Sequence, residues 1–580
     1  MNRIFTLLSA LSLLLVSCEQ FETPTINAPE GKVRVTIKSG SAQSRTSVAE
    51  NGLSTTWCND DQIAVWASNG SANVLNAQPF KVFYSQGNYT EFTTDITPMG
   101  DGTFTYYATH PLPATISGTT ATFPIESVQQ GSFDGTNDIL VAYPASGLAL
   151  ENEDAEVSLT FKHKMHTLRM FVPDDVEGMG EPIRRIDITF PTQVVGDVSV
   201  DYTSAIAPAT LANGSNTVSV EIPEGLSASS EAARKYAYAI VFPATMNESD
   251  QITFTVSTDN YRSVQSFGAR SLSEGGSTPV RLTCSPDNRT LLRFKIKDNF
   301  LGENPTKVTF TAAIGEAVAD CATTFDKFGY YDLDVTDLEG LAGQPITVTY
   351  ESESAIVTQS LTLPNYEAGK LTNVDLTVPY LLYEDFSGMS AFENNTYEFG
   401  AFNYNPSAIS LDSYGLAGWS GARIGGGANT NIRIACRYES GIGVAASYKG
   451  RCDSRPLSQI KEGKSVKLNV SYNYAADLHE EMGSGGSVTF WAGTTTTSGN
   501  IKGDVGITNV VLGESVLATD GPMAKGSWYG NTPHTQTYTV SGCGSTTRLS
   551  WRVGTNRGGS IAGRGYYWLY IDNVKVSIAK

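Results

Sequence analysis

Two of the five histidines in this chain of 580 residues, His163 and His166, lie three residues apart. Two imidazoles with this spacing could bind a metal ion or act as a general base if they shared one face of a helix. The surrounding sequence from Phe161 to Val172, however, is FKHKMHTLRMFV, which favours a β-strand. Residues three apart in a strand point to opposite faces. We therefore predict that the two histidines are structural and do not share a metal ion.

Motifs with well-understood catalytic chemistry do not occur in the sequence. It has no G-x-S-x-G, no H-E-x-x-H, no G-x-x-x-x-G-K-[ST] and no C-x-x-C. Carboxylates are numerous, but no segment places two of them in a recognisable glycosidase setting. We predict that the protein is not an enzyme.

The composition indicates an all-β protein built of several β-sandwiches. Only 17% of the residues are charged, and the chain has 55 glycines, which is typical of sandwiches rather than of helical bundles. The net charge of -19 argues against nucleic acid as a partner, because phosphates favour clustered Lys and Arg. Residues through 378 carry 23 basic and 44 acidic side chains, whereas residues from 379 carry 17 and 15. We place a domain boundary at this change.

The first 18 residues, MNRIFTLLSALSLLLVSC, combine a basic Arg3, an apolar run and small residues before Cys18. They resemble a bacterial lipoprotein signal peptide, which implies that Cys18 becomes the acylated N-terminus, modified for example by palmitate, and anchors the protein to the outer membrane. Glu19 and Glu22 are similar to signals that send such lipoproteins to the outer, cell-surface face of that membrane. We assign residues 19–45 to a tether and a first strand.

Cysteines beyond the signal leave two interpretations open. Cys284 could pair with Cys321, and Cys436 could pair with Cys452, since export permits disulfides. Buried free thiols are the alternative.

The first predicted strand lies in GKVRVTIKSG, residues 31–40, where apolar and polar side chains alternate. A short polar loop follows and ends at Arg45, which is easy for a protease to reach. Further strand-like segments separated by Gly, Asn and Pro continue to the end of the chain, and together they predict successive β-sandwiches.

Several segments in a fixed order resemble the fimbrillin family of Bacteroidetes pilus and pilus-like lipoproteins. They are Trp57 with the turn and strand that follow to Trp66, the aromatic strand Thr105–Pro111, Phe123-Pro124 ahead of Gln129-Gln130, and the strand Val157–Val172 with its F-x-H at Phe161 and His163. The resemblance implies two β-sandwich lobes, which we assign to residues 46–154 and 155–285.

The fimbrillin resemblance also suggests how the N-terminus could be processed. In polymerising members an arginine-specific protease removes the leader and first strand, and the groove accepts a strand from another subunit. Arg45 matches the position of such a cleavage site, and an uncut loop arginine is the alternative. A shaft subunit donates its C-terminal segment, whereas here two further domains follow the lobes. This departure favours a tip, accessory or non-polymerised subunit.

Residues 286–378 contain another set of strands, which we interpret as an Ig-like module. Residues 379–580 open with LLYEDFSG and close with YYWLYIDNVKVSIAK. This pairing of ends resembles jelly-roll modules of carbohydrate-binding and adhesin type, in which the first and last strands are neighbours. Such modules often hold a structural Ca²⁺ where the ends meet, and the resemblance would give its ligands as Glu384, Asp385 and Asp572. Acids that cap turns are the alternative.

Ligand binding in the last domain would need exposed aromatic faces and polar partners. Aromatic rings stack against the C–H surface of a sugar, and Arg can hydrogen-bond its hydroxyls. The candidates set in glycine-rich loops are Trp419, Trp528 and Tyr529, with Arg423, Arg557 and Arg564 as polar partners. Trp491, Trp551 and Trp568 lie in strand-like runs and are assigned to the core.

The sequence thus predicts a lipid-anchored surface adhesin, as a tip or accessory subunit of a fimbria-like structure that binds a glycan or protein ligand through its C-terminal jelly roll. A glycan-binding lipoprotein that captures nutrients without any pilus role is the principal alternative. A hydrolase within the jelly roll is a third.

Overall fold

The structure is a computed structural model, which describes the following residues: 30, 32–39, 47–48, 55–86, 89–149, 157–175, 179–393, 408–427, 431–441, 444–448, 450–480, 488–496, 509–516, 534–555 and 563–580. Nearly all regular structure in these ranges is β-strand. Helical turns occur there only at Gly135–Asn137, Phe325–Phe328 and Asp412–Tyr414. The predicted all-β fold is confirmed. Within the same ranges, no helix has the length and apolar character needed to cross a bilayer.

The chain divides into two compact units. The first comprises residues 1–256 and 264–285, and the second comprises residues 257–263 and 286–580.

The strands from β1 to β23 span the first unit and are, in chain order, β1 Val33–Ser39, β2 Ser47–Val48, β3 Thr55–Thr56, β4 Gln62–Ser68, β5 Asn73–Gln86, β6 Tyr89–Ile96, β7 Thr103–His110, β8 Thr115–Ser117, β9 Thr120–Ile125, β10 Val128–Gln130, β11 Leu140–Ala142, β12 Ala145–Leu148, β13 Val157–Leu159, β14 Phe161–His163, β15 His166–Phe171, β16 Ile183–Thr189, β17 Val195–Asp201, β18 Thr210–Ser215, β19 Thr217–Leu226, β20 Ala237–Val241, β21 Gln251–Ser257, β22 Arg262–Gly268 and β23 Ser277–Arg281.

The largest sheet of the first unit has the order β13-β1-β6-β5-β4-β7-β11-β14, with β12 added beside β7. Its core contains Trp57, whose ring meets Phe92 edge-on at 4.9 Å between centroids. Smaller sheets join strands that are distant in sequence. Strands β9 and β10, for example, pair with β17 and β19, so strand pairing crosses the expected lobe boundary at 154/155.

The sequence FKHKMHTLRMFV does not form one strand, contrary to prediction. Strand β14 pairs with β11, whereas β15 lies in another sheet between β20 and β23. The chain changes sheets at Lys164, whose side chain is fully buried. Its Nζ donates hydrogen bonds to the carbonyls of Ala205 at 2.6 Å and Ala207 at 2.7 Å and lies 3.1 Å from Glu274 Oε1. These acceptors offset the cost of burying the ammonium group.

The strands of the second unit are β24 Leu291–Asn299, β25 Lys307–Ala312, β26 Gly315–Asp320, β27 Tyr331–Asp334, β28 Pro345–Glu351, β29 Ile356–Thr362, β30 Leu371–Val378, β31 Leu382–Glu384, β32 Phe392–Glu393, β33 Ile409–Ser410, β34 Ser420–Ala422, β35 Ile424–Gly426, β36 Ile432–Gly441, β37 Val444–Tyr448, β38 Gly450–Asp453, β39 Val466–Glu480, β40 Val488–Thr495, β41 Asn509–Val516, β42 His534–Cys543, β43 Arg548–Thr555 and β44 Gly563–Ile578.

Residues 286–378 form a sandwich of two sheets, with the orders β27-β24-β30 and β26-β25-β28-β29. Strand β28 shows why its sequence forms such a layer. Its side chains at Ile346, Val348 and Tyr350 are buried, while those between them are more exposed, as expected for a sheet with one face in the core.

Residues 379–580 contain an eight-stranded and a six-stranded sheet. The main order of the first is β32-β35-β36-β44-β39-β42, with β31 beside β44 and β37 beside β36, and the order of the second is β33-β34-β38-β43-β40-β41. One hydrophobic core runs through residues 286–580. An ion pair and a hydrogen bond also join residues 286–378 to residues 379–580. Lys461 Nζ lies 2.8 Å from Glu351 Oε1 and donates to the Ser352 carbonyl at 2.7 Å.

Candidate functional site

Trp419, in the glycine-rich region of the last domain, is not exposed, although the sequence predicts that it is. The Trp419 side chain is only 1% exposed. It lies parallel to Trp551 at 6.1 Å between centroids and meets Phe386 edge-on at 5.4 Å. The prediction of an exposed sugar-stacking ring at Trp419 is wrong, because the ring is part of the core. The assignment of Trp551 to the core is confirmed.

Arg423 is also buried, with an exposed fraction of 5%. Its backbone has a left-handed φ of 54°, and its carbonyl accepts a hydrogen bond from Ala435 N at 2.9 Å. The Arg423 backbone therefore links its own segment to that of Ala435. Its buried side chain is not the exposed polar partner for a sugar that the sequence predicts.

The side chains of the other four predicted ligand-binding residues lie outside the described part of the chain. Trp528, Tyr529 and Arg557 lie outside the described residues. Arg564 lies on β44, where its backbone is opposite Glu439 of β36, but its side chain is not described. The roles proposed for these four residues stay predictions.

The two ends of the last domain meet as expected, because β31 and β44 are antiparallel neighbours. This pairing places Glu384 opposite Val574, close to Asp572 and Asp385. We call Glu384, Asp385 and Asp572 the acidic corner.

Each acid of the corner accepts a hydrogen bond from a nearby backbone N–H: Glu384 from Phe386 at 3.1 Å, Asp385 from Ser387 at 3.0 Å and Asp572 from Asn573 at 2.7 Å. Burial raises the pKa of Glu384, and the negative charges of Asp385 and Asp572 raise it further. The hydrogen bond from the Phe386 N–H has the opposite effect and lowers the pKa. The hydrogen bonds to Ser387 lower the pKa of Asp385.

The acidic corner is not, by its side chains alone, a ready metal cage. No group of three or more His, Cys, Asp or Glu side chains able to hold a metal ion occurs in the described part of the chain. Calcium prefers six to eight oxygen ligands, so an ion here would also need backbone carbonyls or water.

The first strand is an internal part of its sheet. Strand β1 pairs in parallel with β13 and antiparallel with β6, whose Ile96–Thr90 segment it follows along its full length. Val35 and Ile37 are fully buried. On the other face Arg34 Nε lies 2.8 Å from Asp95 Oδ1, and this contact lowers the pKa of Asp95. Arg45 lies outside the described residues.

The two histidines of H-x-x-H have separate partners. His163 Nδ1 lies 2.7 Å from Asp138 Oδ2, whereas the buried His166 contacts the Ser273 carbonyl and Thr278 Oγ1, each at 2.9 Å. Burial lowers the pKa of His166. The prediction that the pair is structural and shares no metal ion is consistent with this geometry.

The cysteines whose side chains the structure describes are free thiols. Cys284, Cys321, Cys452 and Cys543 are buried free thiols, and Cys58 is an exposed one. The interpretation of Cys284 as the partner of Cys321 is therefore wrong, and Cys452 is not bonded to Cys436. Burial raises the pKa of Cys284 to about 11 and that of Cys543 to about 11 as well.

A cavity of about 320 Å³ lies in the first unit, lined mainly by apolar side chains such as Met179, Ile183 and Leu226. Cys284 also lines it, but its raised pKa keeps the thiol protonated at neutral pH. The cavity offers apolar volume rather than a nucleophile.

Comparison with known proteins relates part of this chain to a described family. Residues 45–298 match the family described as fimbrillin-like. The match supports a role of fimbrial adhesin type at the cell surface and favours a structural rather than a catalytic protein. No curated protein matches the chain.

The chain also matches solved structures of proteins from Bacteroides and Parabacteroides. A candidate cell adhesion protein from Bacteroides uniformis is 14% identical, with a TM-score of 0.31, over 53% of this chain and 99% of that one. A fimbrial protein from Bacteroides ovatus is 15% identical, with a TM-score of 0.25, over 43% of this chain and 48% of that one. A fimbrial assembly protein from Parabacteroides distasonis is 10% identical, with a TM-score of 0.26, over 43% and 90%.

The structure also exposes aromatic residues that the sequence interpretation did not select. Tyr383 is 47% exposed at the start of the last domain. Its neighbour Leu382 is fully buried, so strand alternation in LLYEDFSG was the signal that could have identified Tyr383 as a surface ring.

Proposed function

We propose that the protein is a lipid-anchored surface adhesin in which the fimbrillin-like region presents the last domain, residues 379–580, to a glycan or protein ligand. Cys18 would carry the lipid that holds the chain at the outer membrane. Within a fimbria-like structure, the protein would be a tip or accessory subunit rather than a repeated shaft subunit.

The observation that carries this proposal is the position of β24, where the fimbrillin-like match ends. Strand β24 is paired on both sides, antiparallel with β27 and in parallel with β30. Leu292 and Phe294 on this strand are buried in the core. The segment that follows the fimbrillin-like lobes is thus built into another sandwich and is not free to be donated to a neighbouring subunit.

Strand β1 supports a role as an acceptor of a strand. It fills a slot between β13 and β6, and its removal would leave the backbone groups of both neighbours unpaired. A strand from another subunit with alternating apolar side chains could restore those hydrogen bonds. Cleavage after Arg45, beyond the end of β1, would release the strand.

A structural calcium ion at the acidic corner is a further part of the proposal. Burial raises the pKa of Glu384, and the negative charges of Asp385 and Asp572 raise it further. A bound cation would relieve the repulsion among these three acids. Chelation tests this part separately from adhesion.

The processing step can be tested in cells that make the full-length chain. If Arg45 is a processing site, the processed wild-type protein starts at Thr46 and has left its lipid anchor behind. Arg45→Ala then keeps the longer, lipidated chain, because an arginine-specific protease needs the guanidinium. Ser44→Ala is the matched control and should be processed normally. Intact mass spectrometry of the surface protein distinguishes these forms. Equal masses for wild type and Arg45→Ala would remove strand exchange by this route.

Adhesion itself is tested with purified full-length chain. The chain should compete with cells that display it for binding to partner surfaces, whereas the same chain unfolded in urea and diluted should not. If cells that lack the protein adhere as well as cells that display it, the adhesin role is wrong.

A further inference from the structure

Three aromatic side chains form a row on the surface of the second unit. The rings of Phe300 and Tyr380 are stacked at 4.8 Å between centroids with an interplanar angle of 7°. Tyr383 continues the row at 6.0 Å from Tyr380 and 27°. Phe300 is 41% exposed and Tyr383 is 47% exposed. Single exposed apolar side chains are ordinary, but a contiguous exposed aromatic group marks a candidate interaction site. We call these three residues the aromatic row.

Rigid backbone holds the row in place. Phe300 N donates to the Val378 carbonyl at 2.9 Å, and Leu381 N donates to the Val576 carbonyl at 2.9 Å. Leu301, Leu381 and Leu382, the sequence neighbours of the three rings, are buried in the core. Because these neighbouring leucines are anchored in the core, the backbone that carries the rings is held in place. A ligand would therefore not have to order the rings on binding.

Beside the row lies the solvent-facing side of the eight-stranded sheet. Tyr383 on β31 is opposite Lys575 on β44, Lys575 is opposite Ser471 on β39, and Ser471 is opposite Thr537 on β42. These four residues form one line across four strands, about 14 Å long at the usual strand spacing. A second line contains Ser577, Asn469 and Thr539.

The two lines have a particular chemical character. The side chains next to them along β39, Leu468, Val470 and Tyr472, point into the core, so the outer face is left to hydroxyl and amide groups. Lys575 is the one charged side chain in the two lines. Tyr383 Oη donates to Asp385 Oδ2 at 3.4 Å, which places a carboxylate acceptor at the end of the row.

This combination matches a sugar better than other ligands. A pyranose ring has a C–H face that stacks on an aromatic ring. Its hydroxyls both donate to and accept from Ser, Thr and Asn side chains, and they donate to carboxylate groups. A nucleic acid would require clustered Lys and Arg, and an apolar peptide would require a hydrophobic groove. A neutral oligosaccharide requires neither.

We propose that the aromatic row and the adjacent outer face of the eight-stranded sheet bind a neutral oligosaccharide, with Tyr383 as the ring that stacks on a sugar. This inference rests on the proposed role of the last domain as the ligand-binding part. It places the site on a sheet face rather than in the loops near Trp419, and it selects a glycan over a protein ligand.

The experiment uses purified full-length chain and biolayer interferometry. The probes are gluco-, manno-, xylo- and galacto-oligosaccharides, with a sulfated oligosaccharide as the anionic comparison. We expect wild-type protein to bind at least one neutral probe. Tyr383→Ala should weaken that binding by about tenfold, the scale of one aromatic stacking contact. Tyr383→Phe should stay within about twofold of wild type, because it keeps the ring.

Matched controls separate binding from folding. Tyr143 has a similar exposed fraction, 39%, but lies in the first unit, so Tyr143→Ala should bind as wild type does. Thr537→Val keeps the size of the side chain and removes the hydroxyl, and should weaken binding by a smaller factor than Tyr383→Ala. Circular dichroism melting of each variant confirms that the second unit is folded.

The outcomes distinguish this inference from the proposed function. Equal binding by wild type and Tyr383→Ala, or binding of the sulfated probe alone, overturns the site and leaves the adhesin role standing. If no oligosaccharide binds while the full-length chain still blocks cell adhesion, the ligand is not a neutral glycan and the inference is wrong. If adhesion also fails, both proposals are wrong.

Discussion

Replacement of Ile37 by Ala should destabilise the largest sheet of the first unit. Ile37 is fully buried on β1, between Val157 of β13 and Phe92 of β6. If β1 is an integral strand whose removal opens a binding slot, its inward side chains must contribute substantially to stability. Ile37→Ala tests that contribution without breaking a backbone hydrogen bond.

The expected magnitude follows from the carbons removed. Isoleucine has three more side-chain carbons than alanine, and at about 0.8 kcal/mol for each buried methylene group their transfer is worth about 2.4 kcal/mol. The cavity left between the strands adds to this cost. We expect the free energy of unfolding of this sheet to fall by about 3 kcal/mol.

Hydrogen exchange measured by mass spectrometry on β6 gives a local readout, so that unfolding of the second unit does not confuse the result. A loss of about 3 kcal/mol should speed exchange of the β6 amides by roughly a hundredfold if they exchange through opening of this sheet. Thr36→Ala is the matched control, since Thr36 is the neighbouring residue on the half-exposed face of β1. It should cost less than about 1 kcal/mol.

Similar exchange rates for Ile37→Ala and Thr36→Ala would refute this reasoning. They would mean that β1 is not held by its apolar face, and that its removal by cleavage would not create a slot in need of another strand.

Three further predictions concern protonation, thiols and calcium. Burial lowers the pKa of His110 and of His166 in the folded chain. As the pH falls, the unfolded chain therefore binds protons first, and the first unit should lose stability below about pH 6.5. Urea unfolding at several pH values should show a stability that depends less on pH for His110→Phe than for wild type, and an unchanged pH dependence would contradict this cause. Among the described cysteines, Cys58 is exposed and the others are buried. Iodoacetamide should therefore label the native protein at Cys58 before it labels the buried cysteines. Peptide mapping that finds Cys284 labelled first would contradict the structure. Removal of calcium with EDTA should lower the melting temperature of the full-length chain, and an unchanged melting temperature would count against calcium at the acidic corner.

Local alternation in the sequence was a sound guide to strands and to their buried faces. The pattern in residues 31–40 predicts a half-buried strand, and β1 has this form with Val35 and Ile37 inward. The all-β fold and the fimbrillin-like region could also be predicted, because they depend on patterns and motif order that are local or repeated along the chain.

Features that depend on contacts between distant segments could not be predicted in the same way. Trp419 lies in a glycine-rich stretch that suggests an exposed loop, yet it packs against Trp551, far away in sequence. Lys164 looks like a surface residue of a strand, but acceptors at Ala205, Ala207 and Glu274 allow it to be buried where the chain changes sheets. No local pattern contains either partner.

The aromatic row shows a third reason why a site can be missed. Phe300, Tyr380 and Tyr383 come from two segments that the sequence assigns to different domains or to their boundary. Alternation along β31 can identify Tyr383 as a surface ring, but it cannot show that Phe300 and Tyr380 lie beside it. Only the pairing of β31 with β44, and the hydrogen bond from Phe300 to Val378, bring the three rings together on one surface.

The central claim is that this protein is a tip or accessory adhesin of a fimbria-like structure, rather than a shaft subunit or an isolated lipoprotein. Immunogold labelling of sheared surface fibres, with an antibody raised against residues 379–580, tests it most directly. We predict gold at fibre ends or at sparse points along fibres. Continuous labelling along the shaft, or fibres that carry no gold while the cell surface does, would contradict the claim.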